Sequence, residues 1–401
     1  MLAGTSVPQD GGSKKDESLS PGKKDILIVA GEASGDLHGG RVVESLRRMD
    51  PAVSVRAMGG EILRRAGAEI VVDSSRLAVV GITEVLGRFR DLARAYRDLK
   101  GLIRKEEIGL LLLIDFPDFN LRLARLARKA GIPVLYYVSP QVWAWRSGRT
   151  KVIARRVDRM AVIFPFEVPL YREAGLKAEF VGHPLMDSLG PGENAARIPP
   201  EEEGFRGEPL VALLPGSRHR EVFSLLPEMI RAAQIITREK AGARFLLALA
   251  PTIDEQEVKE ILPPAGPRIE VVKGKIDRVL SASDLVLVAS GTATLETAIR
   301  GKPMVIVYRV SPLSYWTGRA MIRVKWIGLA NLVAGRSLVP ELIQKEATGE
   351  KMAAEALRIL EDEPYRRTMI QGLAEVRQKL GSPGASERVA RMALEMLKKS
   401  S

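Results

Sequence analysis

Cysteine is absent from this sequence, which removes disulfides, thiolate zinc sites, iron–sulfur clusters and thiol nucleophiles in one step. Histidine is nearly so: His38, His183 and His219 are the only three, too few and too scattered for a histidine-built metal centre. Aromatic residues make up 5% of the chain, and neither a zinc-finger spacing nor an aromatic-and-basic RNA-binding signature occurs, so nucleic acid is not the expected partner. Long apolar runs are missing too. The longest, Ile108 to Ile114, spans seven residues, against the ~20 a membrane-crossing helix needs. The first 22 residues hold Gly, Ser, Lys and Asp without an apolar stretch. They read as a disordered tail and not as a secretory signal, which makes a cytoplasmic location the expectation.

What is present suits a globular protein of two ordinary domains: 401 residues, 46% of them hydrophobic. The net charge of +12 favours an anionic partner, a phosphorylated substrate or an acidic membrane leaflet. Short apolar runs ending in Gly, Ser, Asp or Pro alternate with stretches of helical period. That is the pattern of buried parallel strands with helices on both sides, so the fold class is α/β with two doubly wound, Rossmann-like sheets. Candidate strands are 26–30, 53–57, 109–114, 134–138 and 160–164 in the first half, and 210–214, 244–250, 269–272, 285–289 and 303–308 in the second. The Pro-, Gly- and Glu-rich stretch 190–208 between them reads as a linker. The expected domains are therefore 23–189 and 209–350, with terminal helices over 351–401 interrupted at Gly381–Gly384.

Ligands of such sheets bind beyond the carboxyl ends of strands, so the loops there carry the candidates. After the first strand, GEASGD (Gly31–Asp36) contains Glu32, Ser34 and Asp36. It reads either as a backbone cradle for an anionic or sugar group or as a tight turn that needs glycine. After 109–114 comes Asp115-Phe116-Pro117-Asp118-Phe119-Asn120. Asp115, nearest the strand end, is the better general-base candidate, while Asp118 and Asn120 serve the site or cap the helix from Leu121. Ser139 to Arg146 sets Trp143 and Trp145 beside basic residues, suited to a sugar face and phosphate, or to a solvated helix face.

In the second half, Gly216, Ser217 and Arg218 open a helix with backbone donors and a planar guanidinium fork suited to a diphosphate. Ser290, Gly291 and Thr292 open another, with Glu296 one turn in as an acceptor for ribose hydroxyls or as a capping carboxylate. Two glycine-containing helix starts in one domain and carboxylates in the other match the logic of a two-Rossmann-domain glycosyltransferase. No Asp-x-Asp motif accompanies them, which suits helix dipoles and arginine as the neutralisers of a departing diphosphate, with no metal and no cofactor.

An ordered series of motifs then resembles one family, the lipid-A-disaccharide synthases: GEASGD, VVGITEVLGR (79–88), DFPDFN (115–120), YVSPQVWAWR (137–146), FPFE (164–167), VGHP (181–184), LLPGSR, ASGTATLE (289–296), YRVSPLSYW (308–316) and NLVAGRSLVPEL (331–342). The resemblance runs from about Ile26 to Glu341. It implies a GT-B-like fold whose domains face each other across a cleft. The reaction it implies is inverting transfer from UDP-2,3-diacylglucosamine to 2,3-diacylglucosamine 1-phosphate (lipid X) at the cytoplasmic surface of the inner membrane. Asp115 corresponds to the base that deprotonates the acceptor hydroxyl, Arg218 and Glu296 fall in the motifs that hold UDP, and Asn331, Arg336 and Glu341 lie in the C-terminal motif near the nucleotide.

The resemblance gives the basic, apolar segments Val79–Arg104 and Arg319–Trp326 a role at a membrane or acyl chains, set against a plain amphipathic core helix. It also admits a homodimer that exchanges C-terminal segments. Phe116 is bulkier than its counterpart in that family, which implies a narrower acceptor pocket. The alternatives on the same fold are a UDP-N-acetylglucosamine 2-epimerase-like isomerase, a transferase for another glycolipid or peptidoglycan, and a non-catalytic nucleotide-sugar-binding module.

Overall fold

The structure, a computed structural model, describes residues 25–74, 85–105, 108–143, 148–188, 208–311 and 324–400. The expected tail, nearly all of the expected linker, and Trp145 lie outside the described residues.

Two parallel sheets form the frame. The first contains β1 (Asp25–Ala30), β2 (Ser54–Gly59), β3 (Glu69–Asp73), β4 (Leu110–Ile114), β5 (Val134–Tyr137), β6 (Arg159–Val162) and β7 (Lys177–Phe180), in the order β3-β2-β1-β4-β5-β6-β7. The second contains β8 (Leu210–Leu214), β9 (Arg244–Leu249), β10 (Arg268–Lys273), β11 (Leu285–Ala289), β12 (Met304–Tyr308) and β13 (Glu341–Ile343), in the order β10-β9-β8-β11-β12-β13. Each order reverses direction once, between β1 and β4 and between β8 and β11. At such a switch point the loops leave toward opposite sides and open a crevice.

The central strands are the apolar runs seen in the sequence. All five residues of β4, Leu-Leu-Leu-Leu-Ile, are fully buried because helices cover both faces. Leu111 and Leu113 join one core cluster, and Leu110, Leu112 and Ile114 join the other. Each is worth about 1.5–3 kcal/mol of burial as an upper estimate, and truncating one, Leu112→Ala for instance, costs about 2–5 kcal/mol.

Helix α1 (Ala33–Met49) follows β1 and packs closely on α2 (Glu61–Arg65), since a Cβ at Gly40 would lie 2.8 Å from the Ile62 side chain. Helix α3 (Val85–Arg104) buries Ala95, Leu99 and Ile103 in the core and exposes Arg90, Arg94 and Arg97. That part of 79–104 is an amphipathic core helix. The side chains of Val80, Ile82, Val85, Leu86, Arg88 and Phe89, on which a membrane role rests, lie outside the described residues. Helix α4 (Pro117–Lys129) starts earlier than expected. Its N-cap is Phe116, so Asp118 and Asn120 sit inside the first turn and the capping alternative for both is corrected: proline at N1 nucleates the helix without their side chains. Two short helices, α5 (Arg149–Ala154) and α6 (Glu167–Arg172), follow β5 and β6.

In the second domain α7 (His219–Glu239), α8 (Glu255–Ile261), α9 (Ile276–Ala282), α10 (Thr292–Ile299) and α11 (Leu329–Ala334) flank the sheet. The C-terminal helices divide between the two cores. Helices α12 (Gly349–Glu361) and α13 (Glu363–Lys379), separated at Asp362, bury Met352, Ile359, Leu373 and Val376 with the second domain. The last helix, α14 (Ala385–Ser400), crosses back and buries Val389, Ala393, Met396 and Leu397 against β1, β4 and α1 of the first.

Candidate active site

The first sheet's switch point is occupied by the loops Gly31–Glu32 and Asp115–Phe116. Asp115 and Phe116 both adopt left-handed backbone, φ +47° and +48°, uncommon for residues with a side chain and costing about 1–3 kcal/mol each. The Asp115 amide still makes the last rung to the Tyr137 carbonyl at 3.1 Å. Its own carbonyl accepts from the Tyr136 hydroxyl at 2.5 Å and from Asn120 Nδ2 at 2.7 Å. Asn120, fully buried, also points Nδ2 at the carbonyls of Ile114 and Val29. Burial, reinforced by the Glu32 carboxylate, lifts the Asp115 carboxyl to about 6, while the Phe116 amide pulls the other way.

Gly31 is glycine for a packing reason: a Cβ there would fall 2.4–2.7 Å from the Phe116 ring. That ring also packs on Phe119 at 5.3 Å, and Phe119 on Tyr96 at 6.1 Å. Phe116 thus lies across the two loops of the switch point. Glu32 and Ser34 are exposed there. Asp36 is not available to a ligand: it is buried and accepts from the Gly60, Ile62 and Leu63 amides at 2.6, 3.0 and 3.3 Å, so it fastens the start of α2 to α1. Asp118 is exposed and pairs with Arg149 at 2.6 Å.

Beyond β5 and β6 another carboxylate organises the loops. Glu167, buried at the start of α6, accepts from Ser139 Oγ at 2.5 Å, from Trp143 Nε1 at 3.2 Å and from the Phe164 amide at 3.1 Å. Burial pushes its carboxyl up to about 7 against the pull of those donors. Trp143 is half-buried and stands edge-on to Phe164 and Phe166. Neither Glu167 nor Tyr136 stands out in the sequence as a site residue. Glu167 sits in the FPFE motif as an apparent helix-start carboxylate, and Tyr136 reads as one more large residue in an apolar strand.

The second switch point holds a cavity of about 350 Å³ lined by Gly216, Ser217, Glu221, Ser290, Gly291, Thr292 and Glu296 among others. Six of the residues expected to hold the donor therefore meet here. Gly216 has φ +117°, and a Cβ would lie 2.7 Å from the Glu221 carboxylate, so glycine lets the backbone turn its amides toward the start of α7. Thr294 closes the turn of α10 by donating to the Gly291 carbonyl at 2.7 Å. Burial raises the Glu296 carboxyl, with Arg300 opposing. Arg218, at the N-cap of α7, has an 84% exposed side chain that reaches Glu221 at 3.8 Å.

Asn331 and Arg336, expected beside the nucleotide, do not line this cavity. Asn331 is buried and bonds the Leu338 and Val339 amides, the Val339 carbonyl and Glu341. Glu341 in turn accepts from the Ile327 and Gly328 amides at 3.0 Å, and the Ile327 carbonyl receives Ser290 Oγ at 3.3 Å. The pair thus shapes the loop behind Ser290. Arg336 pairs with Glu375 at 2.8 Å.

Two parallel-sheet domains with a small-residue crevice at one switch point and a carboxylate at the other define the GT-B class of architecture. Solved structures agree: the UDP-GlcNAc 2-epimerase from Neisseria meningitidis bound to UDP-GlcNAc matches with a TM-score of 0.63 at 12% identity, covering 92% of this chain and 100% of that one. The calicheamicin glycosyltransferase CalG4 matches with a TM-score of 0.59 at 18% identity, covering 94% and 98%.

The model of the family described as lipid-A-disaccharide synthetase matches residues 26–395, and the chain belongs to that family. Lipid-A-disaccharide synthases from Geobacter metallireducens and Geobacter sulfurreducens are 48% and 47% identical to it. The first alignment covers 95% of this chain and 99% of the relative, the second 93% and 97%.

Proposed function

We propose that the chain is an inverting hexosyltransferase that moves 2,3-diacylglucosamine from its UDP carrier to the primary hydroxyl of 2,3-diacylglucosamine 1-phosphate, giving lipid A disaccharide 1-phosphate and UDP. Membership of the lipid-A-disaccharide synthetase family supports the reaction class. The observation that carries the mechanism is Asp115, a carboxyl lifted to about 6 at one switch point, in a chain whose other switch point holds the small-residue cavity.

In this reading UDP lies in that cavity with its diphosphate at the amides of Gly216 and Ser217 and its ribose near Glu296. Asp115 takes the proton of the acceptor hydroxyl. The freed oxygen attacks the anomeric carbon from the side opposite the diphosphate, a C–O bond forms, and the bond to UDP breaks with its electron pair going to the diphosphate. The N-termini of α7 and α10, with Arg218, stabilise that growing charge. Glu32, Ser34 and Trp143 are assigned to the acceptor side. Peripheral attachment to the inner membrane belongs to the same reading. The charge of +12 and the exposed Arg90, Arg94 and Arg97 on α3 support it, and no described helix is long and apolar enough to cross a bilayer.

The test is UDP release from UDP-2,3-diacylglucosamine with and without the acceptor. Acceptor-dependent disaccharide formation that collapses in Asp115→Asn, with UDP binding retained, is expected. Turnover of the donor alone would favour an epimerase instead.

A further inference from the structure

β4 places alternate side chains in the two cores, Leu111 and Leu113 in one and Leu110, Leu112 and Ile114 in the other. Continued regularly, that alternation would send residue 115 to the side of Leu111 and Leu113, the side that α4 covers through Leu121, Leu123 and Ala124. The left-handed turn at Asp115 and Phe116 takes the carboxyl out of the alternation, and such a turn persists only where its surroundings over-determine it. What surrounds it is specific. Tyr136 stands opposite Leu113 on the neighbouring strand, in the same core cluster, and its hydroxyl reaches the Asp115 carbonyl at 2.5 Å. Asn120 Nδ2 takes the other lone pair of that oxygen at 2.7 Å. Tyr136 is fully buried, and burial with the nearby Asp115 charge holds its hydroxyl protonated, so that it keeps the proton it donates to that carbonyl.

We propose that Tyr136 is a positioning residue for Asp115: with Asn120 it grips the Asp115 carbonyl and so holds the left-handed turn that presents the carboxyl to the acceptor hydroxyl. The proposal rests on the reading of Asp115 as the base and assigns a buried tyrosine on the adjacent strand to the same step. Its chemistry is indirect, since the hydroxyl touches the backbone of Asp115 and not the substrate. Because proton transfer needs the base within hydrogen-bond reach, a small displacement of the carboxyl lowers turnover without weakening substrate binding.

The experiment is a double-mutant cycle of Tyr136→Phe and Asp115→Asn on full-length protein, read as kcat, KM for the acceptor and UDP affinity. Tyr136→Phe alone is expected to lower kcat about 10–100-fold, with KM and UDP affinity within about twofold. In the Asp115→Asn background the same change is expected to leave the residual rate within about twofold, because nothing remains to be positioned. A kcat for Tyr136→Phe within twofold of wild type overturns the proposal, and so does an equal loss in both backgrounds, which marks a general structural role. Should Tyr136→Phe not fold, Asn120→Ala removes the second donor to the same carbonyl and is read the same way. Full turnover by Asp115→Asn overturns the base reading itself and the positioning role with it, an outcome distinct from a silent Tyr136→Phe beside an inactive Asp115→Asn.

Discussion

Asp187 and Ser386, 199 residues apart, are joined twice: the Asp187 carboxylate accepts both the amide and the hydroxyl of Ser386, at 3.1 and 3.0 Å. It also accepts the amides of Gly384 and Ala385 at 2.7 and 3.0 Å. One carboxylate from the end of the first domain thus satisfies the orphan donors where α14 begins and holds that helix on the first core. Asp187→Ala is expected to destabilise the protein by about 1–3 kcal/mol, measured by urea unfolding, and to expose Gly381–Gly384 to proteolysis.

With the Asp115 carboxyl at about 6, kcat/KM is expected to fall below about pH 6 as the base is protonated. The same shift has a stability consequence of opposite sense. A carboxyl whose native pKa lies above its unfolded value holds its proton more tightly when folded, so its contribution declines as pH rises from about 4 to 6 and is unfavourable at neutrality. Asp115→Asn is therefore expected to lose most of its turnover, keeping a small residual rate, yet to be as stable as wild type or more so at neutral pH, as judged by thermal unfolding.

Glu167, at about 7, changes charge near neutrality while bonded to the Trp143 indole. Indole emission is expected to titrate with a midpoint near pH 7, and Glu167→Gln or Trp143→Phe is expected to abolish that transition. A titration surviving both variants would place its source elsewhere.

At the second domain's cavity, the proposed UDP site, Gly216→Ala forces a side chain into φ +117° and against Glu221. UDP affinity is expected to fall roughly tenfold or more by calorimetry, with a stability loss of about 1–3 kcal/mol.

Burial holds His38 at about 4, with Arg41 adding to it, and His183 at about 3, with His38 adding to it. Unfolded, both take up protons below about pH 6.5. Stability from these neutral histidines is thus full above about pH 6.5 and is lost as pH falls toward 4 and 3, at about 1.4 kcal/mol per unit for each. Urea midpoints at neutral pH and about pH 5 measure it, and His183→Gln is expected to flatten the slope.

The central strands were legible in the sequence because a strand buried on both faces must be apolar along its length: 210–214 and 285–289 match β8 and β11 residue for residue. Of the four edge strands, β3 (EIVVD), β7 (KAEF) and β13 (ELI) went unread, being short and carrying charge, whereas β10 (RIEVVK) was legible at 269–272 through Ile269, Val271 and Val272. The glycine-bearing loops at Gly216 and Gly291 and the carboxylate at Asp115 were also visible, because each follows an apolar run that must end there.

Sequence alone therefore determined the fold class, the two sheets and the loops that lie at the sheets' switch points, all of which follow from local periodicity and loop composition. Only the tertiary structure decided which polar residues are free. Asp36 is engaged by backbone amides up to 27 residues away, Asn331 by backbone groups and Glu341, Glu167 gathers donors from a different loop, and Asp187 reaches across to the last helix. Hydrogen-bond partners distant in sequence are chosen when the cores close, because a buried carboxylate or amide must find its donors wherever packing brings them.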